Sequence, residues 1–192
     1  MPPFARPARS LALVLALALA GCSSLSAAPA GQRLSTEAAF TVEPNTAWTR
    51  VSKGASGTQG SVLTQDGTGL NAVHLVTVPA GKALARTSGE EMPRYVEGSS
   101  ELAMVEFVTN SLSRLGYEAL ETSDVRPGTL GGLEGVRFGL AGRYPSGLRM
   151  RGDVALAESD DGLNMVAFIA PASHYFARDL AEAEAVINSV RF

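Results

Sequence analysis

Apolar and polar residues alternate with a period of two through much of the C-terminal half of the chain, which is typical of β-strands with one buried face. The alternation runs from Val136 to Leu140 and again from Leu148 to Leu156, and we predict two neighbouring antiparallel strands there. The turn at Ser159 to Gly162 leads into a run from Leu163 to Ala170 that is apolar on both faces and ends at Pro171. A run of that kind predicts an interior strand.

Four shorter runs in the N-terminal half also have strand character. We predict strands at Phe40 to Glu43, Trp48 to Val51, Ser61 to Thr64 and Asn71 to Val78. In the last of these runs, Val73, Leu75 and Thr77 face one way and the residues between them face the other, and both faces are largely apolar. We therefore predict a second interior strand at this position.

Two segments repeat their apolar residues every three or four positions, which is the period of an amphipathic α-helix. Ser99 or Ser100 is the expected N-cap of the first helix, and Gly116 is its expected stop. The apolar stripe of the first helix comprises Met104, Val105, Val108, Leu112 and Leu115. That of the second comprises Phe176, Leu180, Ala183, Ile187 and Val190. The whole pattern predicts an α+β fold, an antiparallel sheet with packed helices that include a C-terminal one.

The chain begins with a different pattern, in which two arginines precede an apolar run from Leu11 to Ala20. This run is too short for a membrane span, which needs about 20 apolar residues, and it fits a secretory signal. The string Leu19-Ala20-Gly21-Cys22 is similar to the lipobox of bacterial lipoproteins. That resemblance implies removal of residues 1–21, with diacylglycerol on the sulfur of Cys22 and an acyl group such as palmitate on its new amino group.

Residues 23–36 are small and polar with no sustained period, and we predict a flexible tether there. The predicted organisation is a signal peptide at 1–21, the lipidated cysteine and tether at 22–36, and a single α+β domain at 37–192. The two residues after the cysteine are serines rather than the Asp that retains lipoproteins in the inner membrane. We therefore expect the periplasmic face of the outer membrane.

Charge and cysteine content exclude several classes of function. The formal net charge is −3, and loss of the two signal-peptide arginines would make it −5, whereas nucleic-acid binding usually needs a basic surface. Cys22 is the only cysteine, so the chain has no intramolecular disulfide and no thiolate metal site. We expect no nucleic-acid partner, no metal and no cofactor.

The histidines are the main candidates for catalysis. His74 and His174 are far apart in sequence, and neither has a second ligand at a metal-binding spacing, so we expect both to be structural. The alternative is an envelope hydrolase that uses His174 as a base beside Arg178 and Asp179. No Gly-x-Ser-x-Gly string surrounds any serine, and we assign no catalytic residue.

Two glycine-containing segments are interpreted as turns. The stretch from Gly128 to Gly135 leads into a predicted strand and lacks lysine, whereas phosphate-binding loops open a helix. The string Asp160-Asp161-Gly162 lacks the alternating oxygen ligands of a calcium loop.

Three arginines give the candidate binding face. Arg137, Arg149 and Arg151 lie on the polar side of neighbouring predicted strands, where they could face lipid headgroups, peptidoglycan acids or an acidic protein. Asp153 lies on the same side, and the alternative is a solvated surface that compensates its own charge.

Four local strings carry a resemblance to known proteins. They are Thr64-Gln65-Asp66-Gly67 with Leu70-Asn71, Gly131 to Phe138, Ala170-Pro171 with His174-Tyr175-Phe176, and Ile187 to Phe192. Together with the order of elements, they resemble a group of small bacterial lipoproteins of unknown function and, more remotely, the PsbP-like α/β/α sandwich. Proteins of that fold are mostly accessory or scaffold subunits, so the resemblance implies binding rather than catalysis. We expect a lipid-anchored, non-catalytic module with a protein or envelope component as its partner.

Overall fold

The computed structural model describes residues 25–52, 60–87 and 91–192. The expected signal peptide and Cys22 lie outside the described residues. The elements in chain order are β1 (Leu25–Ala28), β2 (Leu34–Ser35), β3 (Thr41–Val42), β4 (Trp48–Val51), β5 (Ser61–Thr64), β6 (Ala72–Val78), α1 (Glu101–Arg114), β7 (Glu118–Leu130), β8 (Leu133–Arg143), β9 (Arg149–Ser159), β10 (Gly162–Pro171) and α2 (Tyr175–Asn188).

One large antiparallel sheet organises the chain. Its eight strands have the order β1-β4-β5-β6-β10-β9-β8-β7, and β2 and β3 form a separate antiparallel pair. The predicted α+β class is confirmed, as is the C-terminal helix. Ser100 caps α1 by accepting a hydrogen bond from the Ala103 amide, and Gly116 follows the helix with a φ of 95°.

The sheet is covered on both faces. On one face α1 contributes to a core, here called the α1 core, with side chains such as Val108 and Phe138. On the other face α2 and the β2–β3 hairpin contribute to the α2 core, which includes Trp48, Phe168 and Ile187. Backbone hydrogen bonds between Thr41 in β3 and Arg191 tie the hairpin to the end of the chain. The result is three layers, with the sheet between two helical layers.

Both glycine-containing segments form hairpin turns, as predicted. Gly131 and Gly132 connect β7 to β8 with φ values of 61° and 93°, which glycine adopts at little cost. Asp160 and Asp161 lie between β9 and β10, where Ser159 pairs with Gly162.

The predicted tether is wrong from Leu25 onwards. β1 pairs with β4 over four residues, and Ala28 is buried in the α2 core. Further along, the Arg33 guanidinium pairs with Glu43, and the Thr36 hydroxyl donates to the Phe40 carbonyl at 2.7 Å. Backbone pairing does not depend on side-chain pattern, so small residues can form an edge strand without any periodic signal. The domain therefore begins at β1.

Truncation of the chain tests whether β1 belongs to the folded domain. A chain that starts at Thr36 lacks β1 and β2, which leaves one edge of β4 and the β3 strand without their partners, and we expect its free energy of unfolding to fall by about 2 kcal/mol or more relative to a chain starting at Leu25. Denaturant unfolding of the two proteins measures the difference. Equal unfolding free energies would contradict the assignment of β1 to the fold.

Candidate functional site

The three arginines of the predicted binding face have different surroundings. Arg137 lies between two acids: its Nε donates to Asp153 at 3.1 Å, and one of its terminal nitrogens donates to Glu184 of α2, also at 3.1 Å. Only 19% of its side chain is exposed. The hydrogen bond to Asp153 raises the pKa of Arg137, and its charge is compensated where it lies.

Arg149 and Arg151 remain exposed. The Arg151 guanidinium lies 4.5 Å from the centre of the Phe176 ring, a cation–π contact. Both arginines line a shallow depression together with Arg143, which pairs with Glu118. The three predicted residues therefore share a face of the sheet, but Arg137 does not contribute free charge to it.

A buried polar cluster connects the turn after β5 to α2. Asn71 is fully buried, and its side-chain oxygen accepts from Thr64 Oγ1 at 2.8 Å and from two backbone amides of the turn. Its amide nitrogen donates to Asp66 and, at 2.8 Å, to Asp179 of α2. Arg178 pairs with both of these acids. Every polar group of Asn71 is used, so the cluster holds the turn against the helix.

The electrostatics of this cluster fit a structural role. Burial alone would raise the pKa of Asp179, but hydrogen bonds from Arg178 and Asn71 outweigh burial and lower it. The carboxylate is therefore ionised and fully engaged. His174 is at the N-cap of α2, where its ring lies edge-on to Tyr175 at 5.1 Å. Within the described ranges, the His174 ring forms no hydrogen bond with a carboxylate or a hydroxyl, which the hydrolase interpretation would need.

A cavity of about 320 Å³ lies beside α1, between the end of that helix and the sheet. We call it the α1 pocket. Leu112 and Leu115 form one wall, and Leu84 and Arg86 lie along another. The remaining lining residues are Thr68, His74, Tyr117, Tyr144, Met165, Ala167 and Ile169. Its volume is at the lower end of the range of ligand pockets, about 300 to 1,000 Å³. It is more enclosed than the depression at Arg149.

Apolar side chains dominate the floor of the α1 pocket. Met165, Ala167 and Ile169 alternate along β10 with their side chains toward α1, and His74 pairs with Ala167 across the neighbouring strand. Burial lowers the pKa of His74 to about 4, so its imidazole is neutral at pH 7. A neutral imidazole has one N–H donor and one acceptor, and neither is used by the part of the chain that the structure describes.

Two tyrosines close the pocket at the start of β7 and the end of β8. The Tyr117 and Tyr144 hydroxyls are 2.9 Å apart, and their rings contact each other at 4.8 Å. Burial, followed by this hydrogen bond, raises the pKa of Tyr117, so the phenol is neutral. One hydroxyl donates to the other, which leaves the second hydroxyl hydrogen free for another acceptor.

Among the described residues that line the α1 pocket, Arg86 is the only charged one. It is exposed at the mouth, and no carboxylate in the described ranges forms an ion pair with it. Sequence analysis did not single out Arg86, Tyr117 or Tyr144, because the residues of this pocket come from six separate parts of the chain. The one signal available in the sequence was the apolar face of β6 that is directed toward α1, on which His74 is the polar residue.

No group of three or more His, Cys, Asp and Glu side chains suited to a metal ion occurs in residues 25–52, 60–87 and 91–192. Neither of the two described helices is long and apolar enough to cross a bilayer. No protein-family model, no curated protein and no solved structure matches this chain.

The lowered pKa of His74 predicts a pH dependence of stability. Between pH 6.5 and about 4 the unfolded chain binds a proton at this residue that the folded chain does not bind, so the free energy of unfolding falls as pH decreases through this window. The loss is at most about 3 kcal/mol. His74→Gln should remove this part of the pH dependence, measured by denaturant unfolding at several pH values. His174→Gln is the matched control at an exposed position, and equal slopes for the two variants would contradict the prediction.

Proposed function

We propose that this chain is a lipid-anchored periplasmic protein of the cell envelope, held at the outer membrane by acyl chains on Cys22. Its function is non-catalytic binding, as an accessory or scaffold module, and its ligand site is the α1 pocket. The lipobox supports the anchor, and the resemblance to small lipoproteins and PsbP-like proteins supports a binding role. The α1 pocket carries the proposal of a ligand, because it combines an enclosed apolar floor with a few polar groups whose hydrogen-bonding capacity is unused.

The α1 pocket is a better ligand site than the arginine face. Apolar walls remove a ligand from water, which contributes about 25 cal/mol for each Å² of apolar surface that becomes buried. The depression at Arg149 is shallower, and one of its three arginines is paired with Glu118. Exposed charges of this kind contribute little binding energy on their own, because water and salt screen them. The arginine face is better suited to a secondary contact with an acidic partner or with lipid headgroups.

The anchor is tested by following Cys22 in cells that process lipoproteins. We expect the mature protein to begin at Cys22, to carry acyl groups and to partition into detergent, because several acyl chains anchor a protein stably. Cys22→Ser should lose the lipid and remain in the aqueous phase. Mass spectrometry that finds an unmodified Cys22 in the mature protein would overturn the anchor without affecting the pocket.

The ligand site is tested with a neutral apolar fluorophore, 1-N-phenylnaphthylamine, and the mature chain carrying Cys22→Ser. We expect fluorescence enhancement on binding to this protein and a loss of affinity of at least about tenfold in Ala167→Leu, whose larger side chain fills the pocket floor. Ala141→Leu is the matched control, because Ala141 lines the depression at the arginine face. Thr68→Trp, at an exposed position on the rim, repeats the test without changing the core. Loss of binding only in Ala141→Leu would assign the ligand to the arginine face instead.

A further inference from the structure

We propose that the α1 pocket binds an amphipathic anion, a molecule with an unbranched apolar tail and a single carboxylate, and that Arg86 binds the carboxylate. This inference rests on the proposed function, since it concerns the same pocket and names the chemical class of its ligand. It depends on three observations, which are the apolar floor, the charge at the mouth and the arrangement of the neutral donors.

The apolar part of the pocket continues the α1 core. Leu84, Leu112, Met165 and Ile169 belong to that core and also line the cavity. A tail that enters between α1 and β10 therefore contacts side chains that are otherwise shielded from water. Each methylene buried there contributes about 0.8 kcal/mol, which is about a fourfold gain in affinity.

The described lining residues carry a positive charge that no acidic residue among them balances. In the part of the lining that the structure describes, Arg86 is the single cation and no residue is acidic. By contrast, Arg33, Arg126, Arg137, Arg143 and Arg178 each form an ion pair with Asp or Glu. A cation at the mouth of an apolar cavity favours an anionic head group, and a guanidinium matches the geometry of a carboxylate by forming two parallel hydrogen bonds.

The other polar groups of the lining are neutral donors rather than charges. The Tyr117–Tyr144 pair has one hydroxyl hydrogen free, and His74 has one N–H. Such groups donate hydrogen bonds to a carboxylate oxygen without adding the second positive charge that a phosphate dianion would favour. The combination of one arginine and neutral donors thus selects a singly charged head group.

The experiment compares decanoate with 1-decanol, which has the same tail without the charge, using isothermal titration calorimetry on the mature chain carrying Cys22→Ser. We expect decanoate to bind at least about tenfold more tightly than decanol, because a hydrogen bond to a charged group contributes about 1.5 to 3 kcal/mol. Arg86→Gln should remove this preference, because decanoate loses more affinity than decanol when the charge is removed. Octanoate should bind more weakly than decanoate, by about fourfold for each methylene removed.

Arg149→Gln is the matched control, since it removes the same charge from an exposed position on the opposite face of the sheet. The Arg149→Gln protein should prefer decanoate over decanol as strongly as the parent protein does. Equal binding of decanoate and decanol by the parent protein would overturn the anion inference while leaving the pocket as a binding site. A preference that persists in Arg86→Gln, or that is lost in Arg149→Gln, would also overturn it. If decanoate, decanol and the fluorophore all fail to bind, the proposed function fails as well.

Discussion

The complete burial of β10 is the constraint from which the rest of the architecture follows. All ten residues of this strand are buried, and it lies between β6 and β9 near the middle of the sheet. A strand that is apolar on both faces needs a covering layer on each side, which α1 and α2 supply. Asn164 is its polar exception, and the Asn164 side chain accepts from Thr77 Oγ1 at 2.7 Å and donates to Ser159 Oγ at 2.9 Å. The strand therefore leaves no side-chain polar group unsatisfied.

The α1 pocket is a geometric consequence of covering a wide sheet with one helix. A helix with its side chains is about 10 Å across, and strands are about 4.8 Å apart, so one helix covers about two strands. The sheet has eight strands, and on the α1 face the side chains of Leu84 and Tyr95 cover part of the remainder. The pocket lies where the last turn of α1 and the residues at Leu84 to Arg86 leave part of β6 and β10 uncovered.

The parts of the fold that sequence analysis predicted are those whose side chains carry a strong period. β8, β9, β10 and both helices bury one face or both, and burial imposes the period directly. β7 was not predicted, because it is an edge strand with almost all of its side chains exposed, and it contains Pro127 and two register shifts. Sequence analysis missed β1 because its backbone hydrogen bonds to β4 hold it in the sheet, and such bonds require no periodic pattern of side chains. The hydrogen bond of Asn71 with Asp179 joins residues far apart in sequence, and no local pattern encodes it.

Because β1 begins at Leu25, close to Cys22 in the sequence, a lipidated form would hold one edge of the sheet near the membrane. Two residues, Ser23 and Ser24, separate Cys22 from Leu25, and the three Cα-to-Cα steps span at most about 11 Å, so acylation of Cys22 would hold the β1 edge of the sheet close to the bilayer. Leu25 pairs with Val51, Val51 with Val62, and Val62 with His74. Residues paired in this way share a face of the sheet, so Leu25 and the floor of the α1 pocket lie on the same face, three strand spacings or about 14 Å apart. An anchor at Cys22 would thus place the pocket within a short distance of the lipid surface, from which amphipathic ligands are available at high local concentration.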